Sequence, residues 1–106
     1  TPGFQHYHPG HAKAVARWSS TTTVPFAYNI STTIAKVGTG AYTLRFVNNF
    51  TSSNAIVPQF SCDDTGAICE GKVSTMTIST CTVVYRDASG TLTDAANFYA
   101  AFYGDM

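Results

Sequence analysis

His6 and His8 flank Tyr7 in the opening segment TPGFQHYHPGH, so in extended backbone, where successive side chains alternate, both imidazoles fall on one face. Imidazole is a common metal ligand, but two nitrogens do not close a coordination shell. Three copies of the segment around one axis would supply an octahedral set suited to an axial transition-metal ion. The pair therefore implies a trimer before it implies a metal. The plainer reading makes His6, His8 and His11 ordinary polar residues of a Pro/Gly-rich linker, since motifs this short often match by accident.

Cys62, Cys69 and Cys81 are odd in number, which leaves at least one thiol without an intrachain partner. Cys62 and Cys69 bracket a segment whose glycine and acidic residues would let them meet in a disulfide that pins the base of a loop. Free thiols are the alternative, because proteins assembled in a reducing cytosol need no disulfides. A zinc site fits poorly: the spacings match no common zinc knuckle, and Asp63 and Asp64 add only hard oxygens.

The carboxylates offer no catalytic pattern. Asp63, Asp64, Glu70, Asp87, Asp94 and Asp105 fall in expected turns or at the terminus, where such residues form turns or stay solvated. No spacing singles out a glycosidase pair, and no Ser, His and Asp grouping carries a nucleophile-elbow signature. A domain this small and this poor in ionisable groups has few ways to build a preorganised site, so the chain reads as a non-enzyme. Aromatic residues are the better candidates. Tyr99 and Tyr103 alternate with Phe98 and Phe102, putting phenols on one face and phenyl rings on the other. A phenol face with small neighbours such as Ala101 suits stacking on sugar rings or packing against another subunit. Trp18 and Tyr85 have the same potential, though a lone Trp more often belongs to a core.

Strands must position these groups. In residues 28–50, Ala41, Thr43, Arg45 and Val47 point one way and Tyr42, Leu44 and Phe46 the other, a period of two that suits a half-buried strand. Gly38, Thr39 and Gly40 supply the tight reversal of a hairpin. Strand patterns are predicted over residues 12–18, 26–37, 41–50, 55–61, 72–87 and 97–103. Pro58 marks its strand as an edge or a bulge. Residues 62–71 and 87–96 read as long loops. The number and spacing of strands argue for an all-β antiparallel sandwich or small barrel, in a single domain spanning residues 12–106 behind an extended segment, residues 1–11.

Composition narrows the partners. The chain has 106 residues, with six basic and six acidic side chains making up 11% of the total, so it lacks the basic footprint of a nucleic-acid binder. No apolar run approaches the ~20 residues that cross a bilayer, and no membrane insertion is expected. A free monomer's surface usually carries about a quarter charged residues. The shortfall, with 44% hydrophobic residues, implies that much of the surface meets other chains. The start at Thr1 reads as a domain cut from the end of a longer chain, with residues 1–11 as the incoming linker.

Taken together, HPGHAKAVARW near the start, AYNISTTIAKVGTGAYTLRFVNNF in the middle and TLTDAANFYAAFYGD at the end resemble the landmarks of a C-terminal domain of tailed-bacteriophage tail fibre and tailspike proteins. That family shows a proline-glycine lead-in followed by AKAW, a hairpin of the type VxDxGTGxYTVxF, and a last strand ending in aromatic-Gly. Here Trp18 stands three residues later than usual, and residues 62–70 have no fixed family counterpart. The resemblance implies a homotrimeric, jelly-roll-like β-sandwich at a fibre tip, part of the virion and assembled in the host cytoplasm. Its partners would be other copies of itself, other tail or virion proteins, and a bacterial surface glycan or outer-membrane protein. Receptor contact is expected at loops clustered at one end, through Asp63, Asp64 and Thr65 and through Asp87, Ser89 and Thr91. Trp18, Tyr99 and Tyr103 are the candidates for the trimer interface. Two other readings stand beside this one: a head-decoration or adaptor-docking domain that binds another virion protein, and a glycan-degrading tailspike tip.

Overall fold

The computed structural model describes residues 12–63 and 69–104. It is an all-β sandwich of eight strands: β1 Ala14–Ser19, β2 Phe26–Tyr28, β3 Ala35–Gly38, β4 Ala41–Arg45, β5 Val57–Asp63, β6 Cys69–Met76, β7 Thr80–Asp87 and β8 Asn97–Tyr103. They pair antiparallel in two four-stranded sheets, ordered β2-β1-β8-β5 and β3-β4-β7-β6. One 3-10 turn, Ser53–Ala55, precedes β5. Three of the connections, β1 to β2, β3 to β4 and β6 to β7, are hairpins within one sheet. The other four, β2 to β3, β4 to β5, β5 to β6 and β7 to β8, join one sheet to the other.

Alternation along each strand builds the core. The first sheet turns Ala14, Ala16 and Trp18 of β1 and Phe98, Ala100 and Phe102 of β8 inward; the second answers with Tyr42, Leu44, Cys81, Val83 and Tyr85. Trp18 is fully buried, stacks on Phe98 at 5.7 Å between ring centroids, and meets Tyr42 and Tyr85 edge-on at 5.8 and 6.2 Å. Edge-to-face and offset pairs of this kind add about 0.5–1.5 kcal/mol each beyond the area they bury. Trp18, proposed from the sequence as an interface residue, is thus a core residue, because its place in the β1 alternation points it between the sheets. Tyr85 is buried too, and its hydroxyl donates to the Tyr99 carbonyl across the sandwich at 3.1 Å.

Two predicted strands divide. Residues 26–37 do not form one hairpin arm, because Asn29 adopts a left-handed φ of 56° that ends β2. Asparagine tolerates this region because its short polar side chain bonds locally. Here its Oδ1 accepts from Asn48 N–H at 2.7 Å, and its Nδ2 donates to the Asn48 and Lys13 carbonyls. The chain then crosses to the second sheet as β3. Residues 72–87 likewise form two strands, joined by a turn that has neither Gly nor Pro: Thr77 Oγ1 accepts from the Ser79 and Thr80 N–H groups at 3.3 and 2.9 Å. Pro58 lies on β5, an edge strand, where its missing N–H costs no ladder bond within the sheet. Tyr42, Leu44 and Phe46 face inward as the alternation requires. At the hairpin turn Gly40 has φ 66°, and a Cβ there would lie 2.5 Å from the Thr93 carbonyl oxygen.

Candidate binding and assembly site

Strand register places the connections on two ends. Cys69 pairs with Asp87, Asp63 with Asn97, and Ser19 with Asn97, while the β3–β4 turn meets β7 through the Tyr85 N–H to Gly40 carbonyl bond of 2.8 Å. The end of β5, the start of β6, the loop after β7, the hairpin turn and the turn after β1 therefore share one end. Asp63 is exposed at the close of β5, and Asp87, Ser89 and Thr91 form the turn that leaves β7. His6, His8, Asp64 and Thr65 lie outside the described residues. Among the described residues no cluster of three His, Cys, Asp or Glu side chains is gathered for a metal ion.

The Asp87 carboxylate has a local role. Its Oδ1 accepts from the Ser89 hydroxyl at 2.8 Å and from the Ser89 and Thr91 N–H groups at 3.0 Å. Those bonds, the Ser89 hydroxyl foremost, hold its pKa below the ordinary carboxylate value. Gly90, at φ 84°, completes the turn. Any ligand that takes this aspartate must compete with its own loop.

Asp94, not singled out by the sequence reading, fastens the same end. Its Oδ2 accepts from Lys36 Nζ at 2.9 Å; its Oδ1 accepts from the Gly40 N–H at 2.8 Å and the Tyr42 hydroxyl at 3.1 Å. Partial burial pushes its pKa up, but the bonds from Lys36, Gly40 and Tyr42 outweigh this and the net shift is downward. Burial, with the Asp94 charge and hydrogen bond added, drives the Tyr42 phenol strongly upward. Replacing Asp94 by Ala strands the Gly40 N–H and leaves the Tyr42 hydroxyl only its 3.4 Å bond to the Ser20 carbonyl, and is expected to cost about 1–3 kcal/mol in chemical denaturation at pH 7. Because the folded-state pKa is depressed, this contribution is complete above the unfolded value of about 3.9 and disappears as pH falls through the lower folded value. The stability gap between wild type and Asp94→Ala should therefore narrow in acid; a gap independent of pH would contradict the role of the ionised carboxylate.

Cys62 and Cys69 form a disulfide with Cα atoms 6.1 Å apart. It links β5 of one sheet to β6 of the other at the base of the connecting loop. Cys81 is the odd thiol, buried in the core, and burial pushes its pKa up to about 12. A thiol in that state is unreactive at neutral pH.

The outer face of the first sheet carries the second candidate region. Register sets Phe26, Arg17, Tyr99 and Ser61 side by side across four strands, and Tyr28, Val15, Ala101 and Gln59 in the next row. Small side chains at Val15 and Ala101 leave a groove of about 450 Å³ between Phe26 on one rim and Gln59 and Ser61 on the other. The Arg17 guanidinium lies over the Tyr99 ring, 5.4 Å from its centroid. Tyr99, Ala101 and Tyr103 all stand partly exposed on this face, opposite the buried Phe98, Ala100 and Phe102. The second sheet shows an unlike outer face that mixes hydroxyl and charged side chains: Thr43 and Thr82 hydroxyls meet at 3.0 Å, and register sets Arg45 beside Thr80 and Glu70 beside Arg86. No protein-family model, curated protein or solved structure matches the chain.

Proposed function

We propose that the chain is a non-enzymatic virion module: the homotrimeric tip of a bacteriophage tail fibre, holding its copies together through the flanks of the sandwich and meeting the bacterial surface with the loops at one end. The observation that carries this reading is the outer face of the first sheet. Tyr99, Tyr103, Ala101, Val15 and Phe26 present an aromatic and apolar surface with Arg17 folded onto it, the makeup of a subunit interface. The motif resemblance agrees with this organisation, since AKAVARW, GTGAYTLRF and NFYAAFYG fall on β1, on the β3–β4 hairpin and on β8, and give the core Trp18, Tyr42, Leu44, Phe46, Phe98 and Phe102. The disulfide suits a protein that works outside the cell, where such bonds persist. Asp63, Asp64, Thr65, Asp87, Ser89 and Thr91 are the proposed receptor contacts.

Adsorption of the labelled protein to a panel of bacterial strains tests the reading. The expected result is saturable, strain-selective retention that falls at least tenfold in Asp63→Ala/Thr65→Ala, with no release of sugar from purified surface polysaccharide. Retention that is absent or uniform across the panel contradicts a receptor-binding tip, and sugar release lost in Asp63→Ala establishes the tailspike alternative.

A further inference from the structure

We infer that Asp94 is a positioning residue for the host-facing end of the sandwich: its carboxylate gathers separate connections into one unit, and that unit sets where Asp63 and the Asp87 turn stand. The inference rests on the receptor-binding reading above and adds to it what holds the contact residues in place.

Both contact patches are tied to the short segment that carries Asp94, residues 91–96. Ahead of Asp94, the Thr91 carbonyl accepts from the Asp87 N–H at 2.9 Å, Leu92 bridges Arg86, and the Thr93 N–H donates to the Tyr85 carbonyl at 3.1 Å. Behind it, the Ala96 N–H donates to the Asp63 carbonyl at 3.1 Å. Asp94 stands between the two patches, so a shift of its backbone is passed to both.

The carboxylate fixes that backbone to the rest of the end. Its Oδ1 holds the hairpin turn through the Gly40 N–H and β4 through the Tyr42 hydroxyl, and its Oδ2 holds Lys36 of β3. Lys36 Nζ also donates to the Ser20 carbonyl at 3.2 Å, which brings in the turn after β1. The Tyr42 hydroxyl reaches the same carbonyl at 3.4 Å. Four connections thus meet at one side chain: the turn after β1, the β3–β4 hairpin turn, the loop after β7 and, through Ala96, the end of β5.

Packing does not do this work. In residues 87–96 only Ala95 is buried, and segments with few buried apolar contacts open locally unless polar bonds hold them. The partly exposed Lys36–Asp94 ion pair contributes little alone. Joined to the Gly40 and Tyr42 bonds it forms a network, whose members hold one another in place.

Amide hydrogen exchange and adsorption of three variants test this. Asp94→Ala removes the junction. Asp94→Asn keeps an oxygen for the Gly40 N–H and the Tyr42 hydroxyl. Phe46→Leu loosens the core toward the other end, where Phe46 packs on Phe50 and Phe102. In Asp94→Ala the Gly40, Thr93 and Ala96 amides are expected to exchange together, about tenfold faster or more, while in the other two variants Thr93 and Ala96 stay within about threefold of wild type. Adsorption to the selected bacterial strain, at a temperature where every variant is folded, should fall about tenfold in Asp94→Ala and stay within about threefold of wild type in Asp94→Asn and Phe46→Leu. Faster exchange confined to Gly40, or an equal adsorption loss in Phe46→Leu and Asp94→Ala, overturns the positioning role and leaves the receptor-binding reading standing. Wild type retained by no strain overturns that reading and the positioning role with it.

Discussion

Trp18→Ala is expected to be the most damaging single substitution in the molecule, lowering stability by about 3–5 kcal/mol, the usual cost of truncating a fully buried large aromatic side chain. The indole fills the space between the sheets and touches three other rings, Tyr42, Tyr85 and Phe98, so the cavity has walls on both sides and cannot collapse without shifting β4, β7 and β8 together. Small domains stand only about 5–15 kcal/mol above their unfolded state. The melting temperature should fall by about 15–30 °C. Trp18→Phe is expected to cost much less, since it keeps a ring against Phe98 and gives up an indole N–H that has no hydrogen-bond partner in the described structure. Thermal melts of the two variants check this; equal losses would mean that Trp18 is not a packing residue.

Opening the Cys62–Cys69 bond is expected to have the next largest effect. The two cysteines are seven residues apart in sequence, and closing a loop of that length restricts the unfolded chain by about 2–3 kcal/mol on the entropic model. Either reductant or the Cys62→Ser/Cys69→Ser variant should lower the melting temperature by about 10–20 °C. Reductant should leave the double variant unchanged, because Cys81 forms no bond. Alkylation without reductant in denaturant should add one label to the wild-type chain and three after reduction; three labels before reduction would contradict the bond.

Much of the fold was legible because it follows from side-chain alternation. In AYTLRF the large residues Tyr42, Leu44 and Phe46 stand at every second position and face the core, and in NFYAAFY the same period separates the buried Phe98 and Phe102 from the partly exposed Tyr99 and Tyr103. What alternation could not show is where a strand ends without Gly or Pro. The left-handed Asn29 breaks its strand through side-chain hydrogen bonds to backbone at Lys13 and Asn48, far away in the chain, and Thr77 breaks its strand through bonds its hydroxyl accepts from Ser79 and Thr80, a turn that alternation does not register. Lys13 is a further case: a charged residue just before β1, it is buried.

The candidate end was half legible. Among the described residues, Asp63 at the close of β5 and the turn built on Asp87 lie on the same end of the sandwich. Asp94 was passed over as one more turn carboxylate because its partners, Lys36, Gly40 and Tyr42, are more than fifty residues away. The trimer-interface candidates divided by parity: Tyr99 and Tyr103 alternate outward on β8, whereas Trp18 alternates inward on β1.

Light scattering of the purified chain at micromolar concentration tests the proposed homotrimer most directly, since the sparse charge and the aromatic outer face are the features that association would explain. The expected molar mass is three times the 11.3 kDa of one chain, maintained on dilution and in moderate salt because the contacts are apolar. A molar mass of a single chain across that range would contradict it.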